Sequence, residues 1–284
     1  MVCEKRPTTL HSCRLLNCWL TSDFAGSLSC AFSMSWTLTR LDLSYNPLED
    51  QGAALLFRVL EHPSCKLESL CRALSEEMPI TEESCEGLGS VLGISQTLQW
   101  LDLSFNALGD HGMGLPCGGL RQANCQWKTL SLANCRLTPA GGPSISSVLS
   151  ASSSIEFLFL SGNDLEDMGI QKLCQGLIHP NCKVQELKIQ MCGLTWLGCE
   201  ALASALRCCP SLRQLDLSDS SLGEEGSKWL CRGLRQPSCQ LQRFRLFRFV
   251  LSEAAKAELA AVARVKPGLE ISYNNNWTGF AELF

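Results

Sequence analysis

The feature that most constrains this chain is that it repeats itself. Segments 38–49, 98–109, 155–166 and 212–223 share one apolar spacing, and a second set headed by Leu10, Leu67, Trp127, Val184 and Leu241 lies between them. Measured head to head from Leu10, the intervals are 28, 29, 31, 29, 28, 29, 28 and 29, and a last interval of 25 reaches Lys266. The chain therefore divides into ten units. Within a unit, positions 1, 4, 6 and 11 are apolar, as in Leu38, Leu41, Leu43 and Leu48. Two apolar residues spaced two apart read as a short strand, and the apolar residues three or four apart in stretches such as 50–60 or 168–177 read as a helix. A fixed period of this length excludes a single-core globule, because each unit can bury its apolar face only against its neighbours.

Position 9 reads, unit by unit, Cys18, Asn46, Met78, Asn106, Cys135, Asn163, Cys192, Ser220, Phe249 and Asn274. Odd units favour Cys and even units favour Asn. An Asn there can satisfy backbone groups freed where the strand turns away, whereas Cys fills the place as a small apolar residue with a weak donor. The pattern LxxLxLxx(N/C)xL resembles leucine-rich repeats, and its alternation of 28 and 29 residues resembles the ribonuclease-inhibitor class. The links EHPSCKL, IHPNCKV and RQPSCQL, with helices such as GIQKLCQGL, are similar to the C-terminal repeats of NLR proteins that carry a pyrin domain and a NACHT ATPase. The resemblance spans about residues 10–274 and implies an α/β solenoid or horseshoe segment, with parallel strands on the concave face and helices on the convex face. It implies a non-catalytic, regulatory protein-binding module in cytosolic innate-immune sensing or inflammasome regulation, with upstream NACHT-type domains of a longer product among its partners. The rival within the same repeat class is an inhibitor holding a ribonuclease in its concavity.

The register also shows where the chain departs from itself. In unit three, near 67–97, the apolar residue due at position 11 arrives three residues late, at Ile80, which reads as a local insertion. Residues 1–9 form a leader with no capping element, the array runs from 10 to 274, and 275–284 is a tail. In the last unit Leu269, Ile271 and Asn274 fit positions 4, 6 and 9. No GxxxxGK(S/T), GxGxxG or GxSxG occurs, so no cofactor and no hydrolase chemistry is expected.

Eighteen cysteines would suit disulfides, zinc or packing, but no CxxC pair occurs and twelve recur at fixed positions, such as Cys117, Cys174 and Cys231 at position 20. Recurrence at one place in a stack is the mark of packing, and so many reduced thiols imply a cytoplasmic location. A formal charge of -4 without any block of like charge gives no footing for nucleic acid, and no apolar run is long enough for a membrane span. The four histidines lie at neither ligand nor triad spacing, and Asp42, Asp102 and Asp216 at position 5 read as solvated face residues rather than an acid–base set. No catalytic or metal site is expected.

A binding face remains. Positions 2, 3, 5, 7 and 8 should point to solvent on the concave side, which places Arg40, Tyr45, Trp100, Phe105, Phe157 and Phe159 there as partner-binding candidates. Arg243, Arg245, Phe247 and Arg248 add a basic and aromatic cluster that suits an acidic partner and would repel a basic ribonuclease.

Overall fold

The computed structural model describes residues 10–24, 26–27, 37–60, 62, 65–71, 81, 95, 97–120, 126–247 and 251–273. The leader 1–9, the stretch 72–80 and the tail 275–284 lie outside them, as do Arg248, Phe249 and Asn274.

Positions 3 to 5 of each unit form a three-residue strand: β1 Ser12–Arg14, β2 Arg40–Asp42, β3 Ser69–Cys71, β4 Trp100–Asp102, β5 Thr129–Ser131, β6 Phe157–Phe159, β7 Glu186–Lys188, β8 Gln214–Asp216, β9 Arg243–Arg245 and β10 Glu270–Ser272. They make one parallel sheet in sequence order, β1 to β10. Position 4 of each strand stands opposite position 4 of the next, Leu130 beside Leu158 and Leu158 beside Leu187. Because side chains alternate along a strand, positions 4 and 6 share the inner face, and these leucines are almost fully buried. Helices follow the strands: α1 Glu49–Leu60, α2 Gly109–Leu120, α3 Gly142–Ala151, α4 Glu166–Leu177, α5 Cys199–Cys208, α6 Gly223–Leu234 and α7 Glu253–Val265. The architecture is the expected α/β leucine-rich-repeat solenoid.

Unit ten departs from the sequence register. Ile271 stands opposite Phe244, which is position 4 of unit nine. Ile271 is thus position 4 rather than 6, and the unit begins two residues later than its apolar spacing suggests. With Leu269 and Ile271 two apart, spacing alone admits both alignments, and only strand pairing chooses between them.

The Cys–Asn alternation has a backbone counterpart. Position 8 is left-handed in every unit where it is described up to unit eight: Asn17, Tyr45, Phe105, Asn134, Gly162, Met191 and Asp219 have φ between 49 and 73°. A second left-handed residue follows at position 10 in Cys units (Trp19, Arg136, Gly193) and at position 12 in Asn units (Glu49, Gly109, Glu166, Gly223). The Asn side chain ties the two unit types together. Asn46 Oδ1 accepts from the Cys18 and Leu20 N–H groups at 2.8 and 3.1 Å, while its Nδ2 donates to Leu15 and Leu43 carbonyls. In Cys units the thiol donates across the stack instead, Cys135 to the Leu103 carbonyl at 3.1 Å and Cys192 to that of Leu160 at 3.2 Å. An aspartate supplies a second tie: Asp167 accepts from the Thr195 N–H at 2.8 Å, and Asp50 from Thr81 likewise at 2.8 Å. Thr81 holds in unit three the place that Thr195 holds in unit seven, three residues further along its unit.

Unit eight carries Ser220 where the other Asn units carry Asn, and the buried Ser220 hydroxyl has no hydrogen-bond partner among the described residues. Ser220→Asn should therefore stabilise the array by about 1 kcal/mol, the net value of added buried hydrogen bonds. Chemical denaturation of the two proteins checks this; a lowered midpoint would mean that unit eight cannot house the larger side chain.

Candidate functional site

The concave face is built from positions 3, 5, 7 and 8, and the four rows differ in exposure. Position 8, where the chain leaves the strand in a left-handed turn, lifts its side chain outward. Tyr45 and Phe105 there are 48% and 42% exposed. Trp100 and Phe157 at position 3 are half-buried, and Arg40 is exposed.

Position 5 corrects the expectation of solvent exposure. Phe159 is only 3% exposed, and Cys71, Asp102, Ser131, Lys188 and Asp216 in the same row are buried too. Parallel strands about 4.8 Å apart press like positions together, and the rows on either side close over them. Lys188 Nζ sits 4.1 Å from the centre of the Phe159 ring, a cation–π contact along this row, and pairs with Glu186 at 3.3 Å. Burial drives the Lys188 pKa down to about 8 against the opposing pull of Glu186. The aspartates are not loosely solvated either. Each closes its own strand end, the Ser104 N–H donating to Asp102 at 2.9 Å and the Ser218 N–H to Asp216 at 3.0 Å. Burial, reinforced by the negative charge of Asp42, raises the Asp102 carboxyl above the ordinary range.

A cavity of about 420 Å³ opens on this face, with Tyr45 and Phe105 on its rim and Asp42, Asp102, Phe159 and Lys188 among its lining residues. The structure thus brings three of the sequence candidates, Tyr45, Phe105 and Phe159, to one hollow. It leaves Phe247 outside that hollow, and Arg243 and Arg245 instead line a shallow recess with Glu186, Lys188, Gln214 and Asp216. That cluster is less basic than its sequence suggests. Exposed Arg243 lies 3.8 Å from Glu270, and half-buried Arg245 stands in register with Asp216. Phe247 is half-buried, its N–H donating to Ser218 Oγ at 2.9 Å. Sequence reasoning missed Lys188 as part of the hollow. The signal was its place one unit after Phe159 in row 5.

Among the described residues no group of His, Cys, Asp and Glu side chains could hold a metal ion. Nor is any helix among them long and apolar enough to cross a membrane. Nine described cysteines are buried, and burial pushes the Cys192 and Cys199 thiols up to about 12. Cys18 and Cys208 are exposed.

Ten stacked strand units, tied to one another by the Asn46 and Asn163 amides and by the Cys135 and Cys192 thiols, define a leucine-rich-repeat solenoid of the ribonuclease-inhibitor type. The leucine-rich-repeat family model matches residues 37–57 and 95–114. NACHT, LRR and PYD domains-containing protein 12 of Mus musculus is 39% identical over 262 residues, covering 92% of this chain and 25% of that protein. Protein 3 of the same series from Rattus norvegicus is 38% identical over 274 residues, 96% of this chain and 26% of that one. Ribonuclease inhibitor of Mus musculus is 38% identical over 262 residues, 92% of this chain and 57% of the inhibitor. The chain belongs to the leucine-rich-repeat family and is homologous to the NACHT, LRR and PYD domains-containing proteins, of which it spans about a quarter.

Proposed function

We propose that this chain is a non-catalytic protein-interaction and regulatory module, acting in the cytoplasm in innate-immune sensing or inflammasome regulation. The partner is a protein segment bound on the concave face, the NACHT-type portion of a longer product included. The observation that carries this reading is the hollow rimmed by Tyr45 and Phe105, because exposed aromatics around a recess are the composition of interaction hot spots. The carboxylates beneath it are committed to closing strand ends, which supports binding rather than acid–base chemistry. The abundance of reduced thiols supports a reducing compartment.

The test uses the recombinant NACHT portion of mouse NACHT, LRR and PYD domains-containing protein 12 as a probe, titrated calorimetrically. Tyr45→Ser combined with Phe105→Ser should weaken association at least about tenfold while leaving the melting temperature nearly unchanged, since both side chains are exposed. Binding lost instead through convex-side substitutions, or absent altogether, counts against the reading. A second reading, a ribonuclease-binding inhibitor, is supported by the 38% identity to ribonuclease inhibitor. Tight inhibition of pancreatic ribonuclease by the purified chain would replace the first reading with the second.

A further inference from the structure

We infer that the chain has a second docking surface, on the edge of the solenoid where strands hand over to helices, built around Met168, Trp196 and Leu197 and suited to a basic amphipathic helix of a partner protein. These three side chains are 67%, 50% and 54% exposed. Single exposed apolar residues need no explanation, but contiguous ones do. Their contiguity follows from the ties between units six and seven. Asp167, the neighbour of Met168, accepts from the Thr195 and Gly198 N–H groups at 2.8 and 2.9 Å, so the 195–198 turn lies directly against it. Gln171 of α4 donates to the Leu197 carbonyl at 3.4 Å, closing the same seam.

The patch belongs to a wider asymmetry. Among the described residues, four of the twelve large apolar side chains that are exposed, Trp19, Met168, Trp196 and Leu197, stand at positions 9 to 14 of their units, on this one edge beyond the concave rows. Among the described residues, positions 9 to 14 also carry ten Asp or Glu and a single Arg, Arg136, although the whole chain has 28 acidic and 24 basic residues. Helix N-termini favour acidic residues through the helix dipole, and Asp50, Asp110 and Asp167 are tied to threonines, so part of the acidity is structural. Neither cause requires tryptophan, leucine and methionine to be left in water beside it. Glu166 and Glu200 are exposed within a few residues of the apolar patch. A surface that is apolar at its centre and acidic at its border complements a helix with a leucine face and a lysine face. The location is separate from the concave hollow, so this surface does not depend on the reading of that face.

The experiment uses the whole chain and two fluorescently labelled helical peptides of about 18 residues with the same leucine face, one with lysine and the other with glutamate on the opposite face. Fluorescence anisotropy should show binding of the lysine peptide that weakens as salt is raised, and little binding of the glutamate peptide. Trp196→Ser with Leu197→Ser should weaken the lysine peptide at least about tenfold, and Glu166→Lys with Glu200→Lys similarly, whereas Tyr45→Ser with Phe105→Ser should leave it unchanged. Met168→Lys gives an independent single-site measurement, and a thermal melt of each variant shows that the array is intact. Unchanged binding by the Trp196/Leu197 and Met168 variants, equal binding of both peptides, or loss confined to the Tyr45/Phe105 variant would overturn the proposal.

Discussion

Replacing Asn163 by alanine is expected to cost roughly 5 kcal/mol, a loss most single substitutions do not reach. Its Oδ1 accepts from the Cys135 and Leu137 N–H groups at 2.9 and 3.0 Å, and its Nδ2 donates to the Leu132 and Leu160 carbonyls at 2.8 and 2.6 Å. Three of those four backbone groups belong to the preceding unit, so truncation strips two units at once. Each group left buried without a partner costs about 1 to 3 kcal/mol. Asn163 is almost fully buried, and so are Cys135, Leu137 and Leu165, so the four groups do not reach bulk solvent. Asn134→Ala is the control: the residue is the same type, but it is exposed at position 8, and only its left-handed backbone, φ 53°, is strained by the change. That should cost about 1 kcal/mol. Denaturant midpoints for the two variants decide the matter, and equal losses would mean that the bridging amide contributes no more than a turn preference.

Gly176→Leu should destabilise by about 3 kcal/mol, against the prediction of helix propensity. Glycine in a helix interior is worth about 1 kcal/mol less than alanine, so propensity alone favours almost any replacement in α4. Packing decides otherwise. A Cβ at Gly176 would lie 2.8 Å from both the Cα and the carbonyl oxygen of Ser146 in α3, atoms of a backbone that cannot rotate away. Overpacking of this kind forces whole helices apart rather than one side chain aside. Gly114→Ala in α2 tests the opposite case. Among the described residues a Cβ there meets nothing within 4 Å, so this change should be neutral or stabilising by up to about 1 kcal/mol. Thermal unfolding of both variants distinguishes them, and a Gly176 variant as stable as the original would show that α3 and α4 are free to separate.

The sequence by itself determined the fold, the number of units and the odd–even alternation, because a repeated core position leaves the same mark in every copy. Leu41, Leu70, Leu101 and Leu130 are read from spacing, and they stand in one buried row. The role of Asn at position 9 was also legible in kind, since a buried amide must satisfy backbone groups. That it spans two units, with Oδ1 and Nδ2 both directed at the preceding one, depended on how closely the units stack. The outward rows were less legible. Alternation along a strand assigns Phe159, Asp102 and Lys188 to the concave side, but whether a side chain on that side meets water depends on its neighbours in other units, which lie some 28 residues away in sequence. Tyr45 and Phe105 remain exposed because position 8 turns outward, while Phe159 lies beneath Lys188. The same reason explains unit ten, where apolar spacing admits two registers and only the pairing of Ile271 with Phe244 selects one. Contacts that copy themselves from unit to unit were written in the repeat, whereas exposure, helix-to-helix approach and the hollow arise between units, and the tertiary structure alone decided them.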